Sequence, residues 1–278
     1  MKPIDPLFAT LLRTPLAILE RAELTIAGSM QVASAKIPDF SASDKLEHDY
    51  YGNTIARPRV EDGIAIIPLH GICSIGLGPM GEYYGYTDTR DFITAVKRTV
   101  VDPMVRGVMI DIHSPGGVTI GGMDAAEAIA ELSDSKPVAG FCSGIMASLA
   151  YWIGSACPLL MGMQSSMVGS IGTYLYLVDW SGLEAEFGIK SIVVRSGKLK
   201  GVGLDRITEE QLAMLQEEID ANGEEFRSYV EFRRSDVERS DMEGQVFSGH
   251  QALERGFLDG IAMNLEDAIS EFRTITNI

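Results

Sequence analysis

Basic residues are scarce in this chain. Its 278 residues include 23 Lys and Arg against 39 Asp and Glu, a formal net charge of −16. A surface that neutralises phosphates needs the opposite balance, so general nucleic-acid binding is excluded. Cysteine is scarce as well. Cys73, Cys142 and Cys157 sit at spacings that fit neither a zinc site nor a disulfide framework, and they read as small buried thiols of a reducing compartment. Long apolar runs are missing. The stretch from Leu7 to Leu19 is broken by Arg13 and Pro15, whereas a spanning helix needs about 20 apolar residues and a signal peptide an uninterrupted apolar segment. No membrane anchor is expected, and the composition suggests a cytoplasmic protein. G-x-S-x-G, H-E-x-x-H and P-loop motifs are absent. None of His48, His70, His113 and His250 stands in a metal-ligand pair on a helix, so no metal site and no cofactor are expected.

What is present is a core. Hydrophobic residues make up 46% of the chain, which excludes global disorder. Residues 1–60 differ from the rest. The segment 16–27 (LAILERAELTIA) reads as a short amphipathic helix, and the Ser, Ala, Asp and Pro-rich stretch 34–53 reads as a linker or mobile arm. A compact domain is expected over 61–278. In it, β-type runs at 63–71, 106–114 and 137–144 alternate with helical patterns at 87–102, 121–135 and 145–157. Thr87 or Asp88 is a plausible N-cap of the first of these. Strand-like pieces follow near 158–162, 167–171, 173–178 and 189–195. A long helix at 207–234 carries Leu212, Leu215, Ile219, Phe226 and Tyr229 at helical spacing. A short helix (249–255), a strand (258–262) and a terminal helix close the chain. The order indicates an α/β protein with largely parallel, buried strands.

Three segments carry chemistry. HSPGG at 113–117 ends the most apolar strand; Pro115 presets a turn, and Gly116 and Gly117 free the backbone to donate to an oxyanion. The same turn also serves as plain structure. GIMASLAYW at 144–152 places Ser148 at a helix start, with the Leu149 N–H as a second donor; the alternative is a serine that caps or packs the helix. RSGKLKGVG at 195–203 holds Lys200, and beside it Lys198, in a glycine-rich turn. A lysine acts as general base when desolvation keeps its amine neutral, and otherwise is a solvated surface charge.

Taken together, these motifs resemble the signal peptide peptidase A family of serine peptidases, whose fold is similar to the Clp protease and crotonase folds. The resemblance rests on D-I-x-S-P-G-G at 111–117, G-x-x-A-S-x-A-Y-W-I-x-S-A at 144–156, V-G-S-I-G at 168–172, S-G-x-x-K at 196–200, and G-x-x-F-S-G-x-x-A at 244–252 leading to G-x-L-D at 256–259. It implies a spiral of β-β-α units with largely parallel buried strands, plus a long helix in the C-terminal half. It also implies a Ser148 nucleophile and a Lys200 base 52 residues on, the S-G-x-x-K frame selecting Lys200 over Lys198. Gly116, Gly117 and Leu149 look like the oxyanion donors. Val168, Gly169, Ser170, Ile171 and Gly172 look like part of the substrate cleft, where an extended peptide would add as a strand. Two positions depart from the pattern. His113 stands where asparagine is common, which raises a Ser–His alternative. Leu149 stands where glycine or alanine is common and is expected to narrow the cleft.

The A-Y-W-I run and T-P-L-A-I-L-E at 14–20 resemble the phage and prophage capsid assembly proteases. That branch implies a homo-oligomeric ring, in which the dyad can be shared between subunits, acting on a protein substrate such as a scaffold or portal-associated protein in the host cytoplasm or prohead interior. The competing expectations are a cytoplasmic signal-peptide or protein clean-up peptidase and, of another class, a catalytically silent structural or scaffold-binding ring protein.

Overall fold

A computed structural model describes residues 16–18 and 47–278. Chain order begins with strand β1 (Leu16–Ile18), β2 (Arg59–Glu61), β3 (Ile64–His70), β4 (Ile72–Ser74), helix α1 (Pro79–Tyr83), β5 (Tyr86–Asp88) and α2 (Thr89–Val101). It continues with β6 (Gly107–Ser114), β7 (Gly116–Val118), α3 (Gly122–Ser133), β8 (Val138–Ala147), α4 (Leu149–Ser155), β9 (Leu159–Gly162) and β10 (Met167–Gly169). Then come α5 (Ser181–Glu186), α6 (Glu209–Arg233), β11 (Val246–Ser248), α7 (Gly249–Glu254), β12 (Gly260–Ile261) and α8 (Leu265–Thr276).

The architecture is the expected α/β one. In the larger sheet β3, β6, β8 and β10 run parallel in the order β10-β8-β6-β3, with β2 and β11 antiparallel at the edges. Strand β8 branches: its first half pairs with β9 and its second half with β10. A smaller sheet has the order β1-β7-β4-β5. Each of the long strands β3 and β6 thus leads into a short strand of the smaller sheet and then toward a helix, a repeated β-β-α unit. The long strands are buried on both faces, which is why they read as nearly continuous apolar runs. Leu69, Ile110, Ile112 and Met146 pack under α2, α3 and α4, while Ile64, Ile66, Met109 and Phe141 pack with Phe272 of α8.

Local chemistry sets the boundaries. Asp88 caps α2 by accepting the Arg90 N–H, and Thr208 opens α6 in a reciprocal capping box with Gln211. The buried apolar residues of helix α6, Phe226, Tyr229 and Val230, lie in its C-terminal part. Phe226 stacks on Trp152 at 4.6 Å with the rings 7° apart, while Leu212 is exposed.

Four expectations are corrected. The helix over 145–157 begins only at Leu149, because β8 continues through Ala147. Parallel neighbours hold its backbone on both sides there, and those bonds outweigh the helical propensity of the Met-Ala pair. The helix over 16–27 fails at its start: Leu16–Ile18 is a strand whose partner is Gly116–Val118, and residues 19–27 lie outside the described residues. Neither 173–178 nor 189–195 contains a strand, although both have β-type composition. Finally, the stretch 34–53 read as a linker is ordered in its last part. Asp49 accepts the Tyr51 and Asn53 N–H groups, and just beyond it Arg57 pairs with Glu82 at 3.2 Å.

Gly117 shows how tightly the two short strands approach. A Cβ there would sit 1.8 Å from the Cys73 carbonyl oxygen, so backbone must move to admit one. Gly117→Ala is expected to lower stability by about 1–3 kcal/mol, measured as a fall in Tm; an unchanged Tm would show that β4 and β7 separate freely.

Candidate active site

Ser148 sits at the turn from β8 into α4, with φ 56° and ψ −124°. A positive φ at a residue with a side chain costs about 1–3 kcal/mol and persists only where the surroundings impose it. Here they do. The Ser148 N–H donates to the Gly169 carbonyl at 2.7 Å, and its own carbonyl accepts from Tyr151 and Trp152 at 2.9 and 3.0 Å. The side chain makes no capping hydrogen bond, so the reading of Ser148 as a helix cap fails. A sharp strand-to-helix turn with a serine in strained backbone is the device of a nucleophile elbow, reached without the G-x-S-x-G sequence.

The register of β6 and β8 brings the oxyanion candidates alongside. Ser114 pairs with Met146 in parallel; two residues further along each chain stand Gly116 and Ser148. Gly116 has φ 101°, and its N–H donates to Ser114 Oγ at 3.1 Å, so that donor is already engaged. Leu149 is the first residue of α4, where an N–H has no intrahelical acceptor. Its side chain is fully buried and packs over Gly122, where an added Cβ would lie 2.2 Å from Leu149 Cδ1. The extra bulk therefore goes into the core and does not narrow the cleft.

Within one chain Lys200 and Ser148 lie in different surroundings. Ser148 is 1% exposed, whereas Lys200 is exposed in the turn after 195, its N–H on the Gly197 carbonyl at 3.0 Å. Lys198 is paired with Glu210. The segment around this turn is unusually apolar for an exposed one: Trp180, Phe187, Ile192 and Val194 all face solvent, and α5 contains no buried residue. His113 makes no hydrogen bond to Ser148 either; its ring packs over Gly144 and lies edge-on to His70 at 6.1 Å.

The five residues 168–172 divide. Val168 and Gly169 lie in β10, whose two edges are taken by β8 and β11, so no free edge remains there for an added strand. Ser170, whose N–H donates to the Gln245 carbonyl at 2.6 Å, lies just past β10, and with Ile171 and Gly172 it lines a groove of about 730 Å³ together with Gln216, Asp220 and Arg227.

A polar cluster escaped the reading of the sequence. Asp111 Oδ2 lies 3.0 Å from His70 Nε2, and Ser143 Oγ donates to Asp111 Oδ1 at 2.7 Å. With His113 the cluster borders a cavity of about 570 Å³. The signal was the charged residue in an otherwise apolar strand, D-I-H-S at 111–114. Burial pushes the Asp111 carboxyl up, but hydrogen bonding and charge from His70, with the Ser143 hydroxyl, outweigh it and leave the group below its ordinary value. Burial and the nearby His70 lower His113.

Two outcomes follow from this geometry. Ser148→Gly is expected to be more stable than Ser148→Ala by about 1 kcal/mol, since only glycine takes this φ without strain; equal Tm values would remove the strain. As pH falls below about 6.5, His113 takes up a proton more readily in the unfolded chain, and below about pH 4 the Asp111 carboxylate also takes up its proton more readily there. In both windows the unfolded state binds more protons, so stability falls with acidification. Urea midpoints that stay flat from pH 7 to pH 5 in wild type and in His113→Gln alike would contradict the His113 contribution.

Comparison with known proteins identifies relatives of this chain. A family model described as Peptidase family S49 matches residues 130–278. The chain is 33% identical over 261 residues to the head-tail preconnector protein GP5 of Enterobacteria phage P21, covering 89% of this chain and 52% of that protein. It is 28% identical to capsid assembly protease C of Escherichia phage lambda, covering 77% and 50% respectively. It is 26% identical to a putative signal peptide peptidase SppA of Enterococcus faecium, covering 66% and 55%. The chain thus spans about half the length of the curated relatives it matches. A solved enoyl-CoA hydratase/isomerase family member superposes with a TM-score of 0.43 at 15% identity, covering 80% of this chain and 74% of that one. Among the described residues no helix is long and apolar enough to cross a membrane. By the family model matched across its C-terminal half, the chain belongs to peptidase family S49.

Proposed function

We propose that this protein is a serine endopeptidase with Ser148 as nucleophile and Lys200 as general base, and that one copy's Lys200 completes the site of its neighbour. The observation that carries this reading is the strained turn at Ser148, set beside the Gly116–Gly117 strand and the free N–H of Leu149. Neutral Lys200 takes the proton of Ser148 Oγ as that oxygen bonds to the peptide carbonyl carbon. The oxyanion is held by the Leu149 N–H and the glycine strand, and the proton passes to the departing amine. Water, deprotonated by Lys200, then releases the acyl group. Sharing between copies is supported by the exposed Lys200 and by the exposed apolar residues around it, a patch that reads as a contact surface. Burial against a neighbour would also supply the desolvation that a lysine base needs.

The substrate class proposed is a scaffold or portal-associated protein of a phage head, with the prohead interior or host cytoplasm as the place of action. Support comes from the relatives named as a head-tail preconnector protein and a capsid assembly protease. The silent-ring reading draws on the exposure of Lys200 against the burial of Ser148 within one chain.

Mixing decides between them. Ser148→Ala and Lys200→Ala are each expected to be inactive on casein or a scaffold protein. Combined in mixed oligomers they should recover up to about a quarter of wild-type activity per site, the statistical share of sites with both residues intact. Confirmed mixing without recovery would refute sharing, and cleavage unchanged in either variant would refute the dyad.

A further inference from the structure

We propose that residues 16–18 of the chain's own N-terminal segment occupy the edge on which a substrate peptide would pair, so that this segment is an internal blocker of the cleft. The inference rests on the peptidase reading of the site. Strand β7 is the glycine strand itself. One of its edges is taken by β4, at Cys73 opposite Gly117. The other edge is taken by β1, antiparallel, with Leu16 opposite Val118, Ala17 opposite Gly117 and Ile18 opposite Gly116. Extended peptides bind by adding a strand to such an edge, the backbone bonds giving affinity irrespective of sequence. The edges of β10, the strand of the larger sheet whose Gly169 carbonyl accepts the Ser148 N–H, are both filled by the body of the domain. Beside Ser148, β7 is thus left as the strand whose outer edge can receive a peptide, and a piece of this same chain holds it.

A second observation agrees. Ser148, whose Oγ must meet a peptide carbonyl, is 1% exposed, and Val118 is fully buried. A peptide arriving from solution reaches neither until something moves. The residues that hold the edge belong to T-P-L-A-I-L-E at 14–20, a motif to which the dyad assigns no role. Covalent attachment presents the segment at an effective concentration on the order of mM, so a substrate in solution competes against it at a disadvantage.

Two full-length variants test this. In an antiparallel pair alternate residues donate, so Ala17→Pro and the double variant Leu16→Pro/Ile18→Pro between them remove whichever N–H groups bond to β7. The readouts are amide hydrogen exchange at Gly116–Val118 and kcat/KM for an unstructured casein peptide. In at least one variant exchange is expected to quicken by about tenfold and kcat/KM to rise by about tenfold, with Ser148→Ala inactive as control. Exchange unchanged in both variants overturns the pairing. Faster exchange with unchanged kcat/KM overturns the blocking. If Ser148→Ala cleaves as well as wild type, the reading of the site fails instead, and exchange alone decides whether residues 16–18 hold the edge.

Discussion

The pairing of β6 with β8 is the constraint on which the site depends. Both strands are buried, parallel and apolar, and their register is fixed because a slip of one residue would turn each buried set toward the opposite face. With Ser114 held opposite Met146, the two chains leave the sheet together. One becomes the glycine strand, the other the serine turn. Helix α4 then locks the turn from below through Trp152, which is clamped in turn by Phe226 from the long helix α6. A strained serine is sustained by this stack of ordinary contacts, none of which touches a substrate.

Much of this was legible in the amino-acid sequence. The long strands announce themselves as apolar runs, Asp88 as a cap, and Ser148 as a serine among small residues at a helix start. What was not legible has a common cause. The extension of β8 through Ala147 depends on neighbours at 114 and 167–169, far away in sequence. The strand at Leu16–Ile18 depends on a partner a hundred residues on, and a three-residue pairing leaves no periodicity to read. The segments 173–178 and 189–195 have strand-like composition, yet Tyr176, Val178, Ile189, Ile192 and Val194 face solvent in the single chain. Periodicity reports that a side chain seeks cover without saying whether the cover belongs to the same molecule.

The split between a buried serine and an exposed lysine gives the domain two mechanical parts. The serine half is a packed α/β core in which Leu149, Ala150, Tyr151 and Ile153 are fully buried. The segment that carries the lysine is braced within itself by Arg195 to Asp205 at 2.7 Å, and Thr173 Oγ1 donates to the Ile219 carbonyl of α6 at 3.0 Å. Under the proposed sharing, assembly itself would act as the switch that joins the two parts, and the precision demanded of the core would not be demanded of the arm.

The three cysteines bear on that assembly. All are buried, and burial pushes Cys73 and Cys142 up to about 11 and Cys157 to about 12. At neutral pH no more than roughly one such thiol in ten thousand is ionised, so oxidants and disulfides find little to attack. Under the proposed sharing, contact between copies of this chain would not depend on a disulfide from these cysteines. Its surface also offers a silent background: a single cysteine introduced on the exposed arm would be the one site open to a thiol-directed cross-link or label.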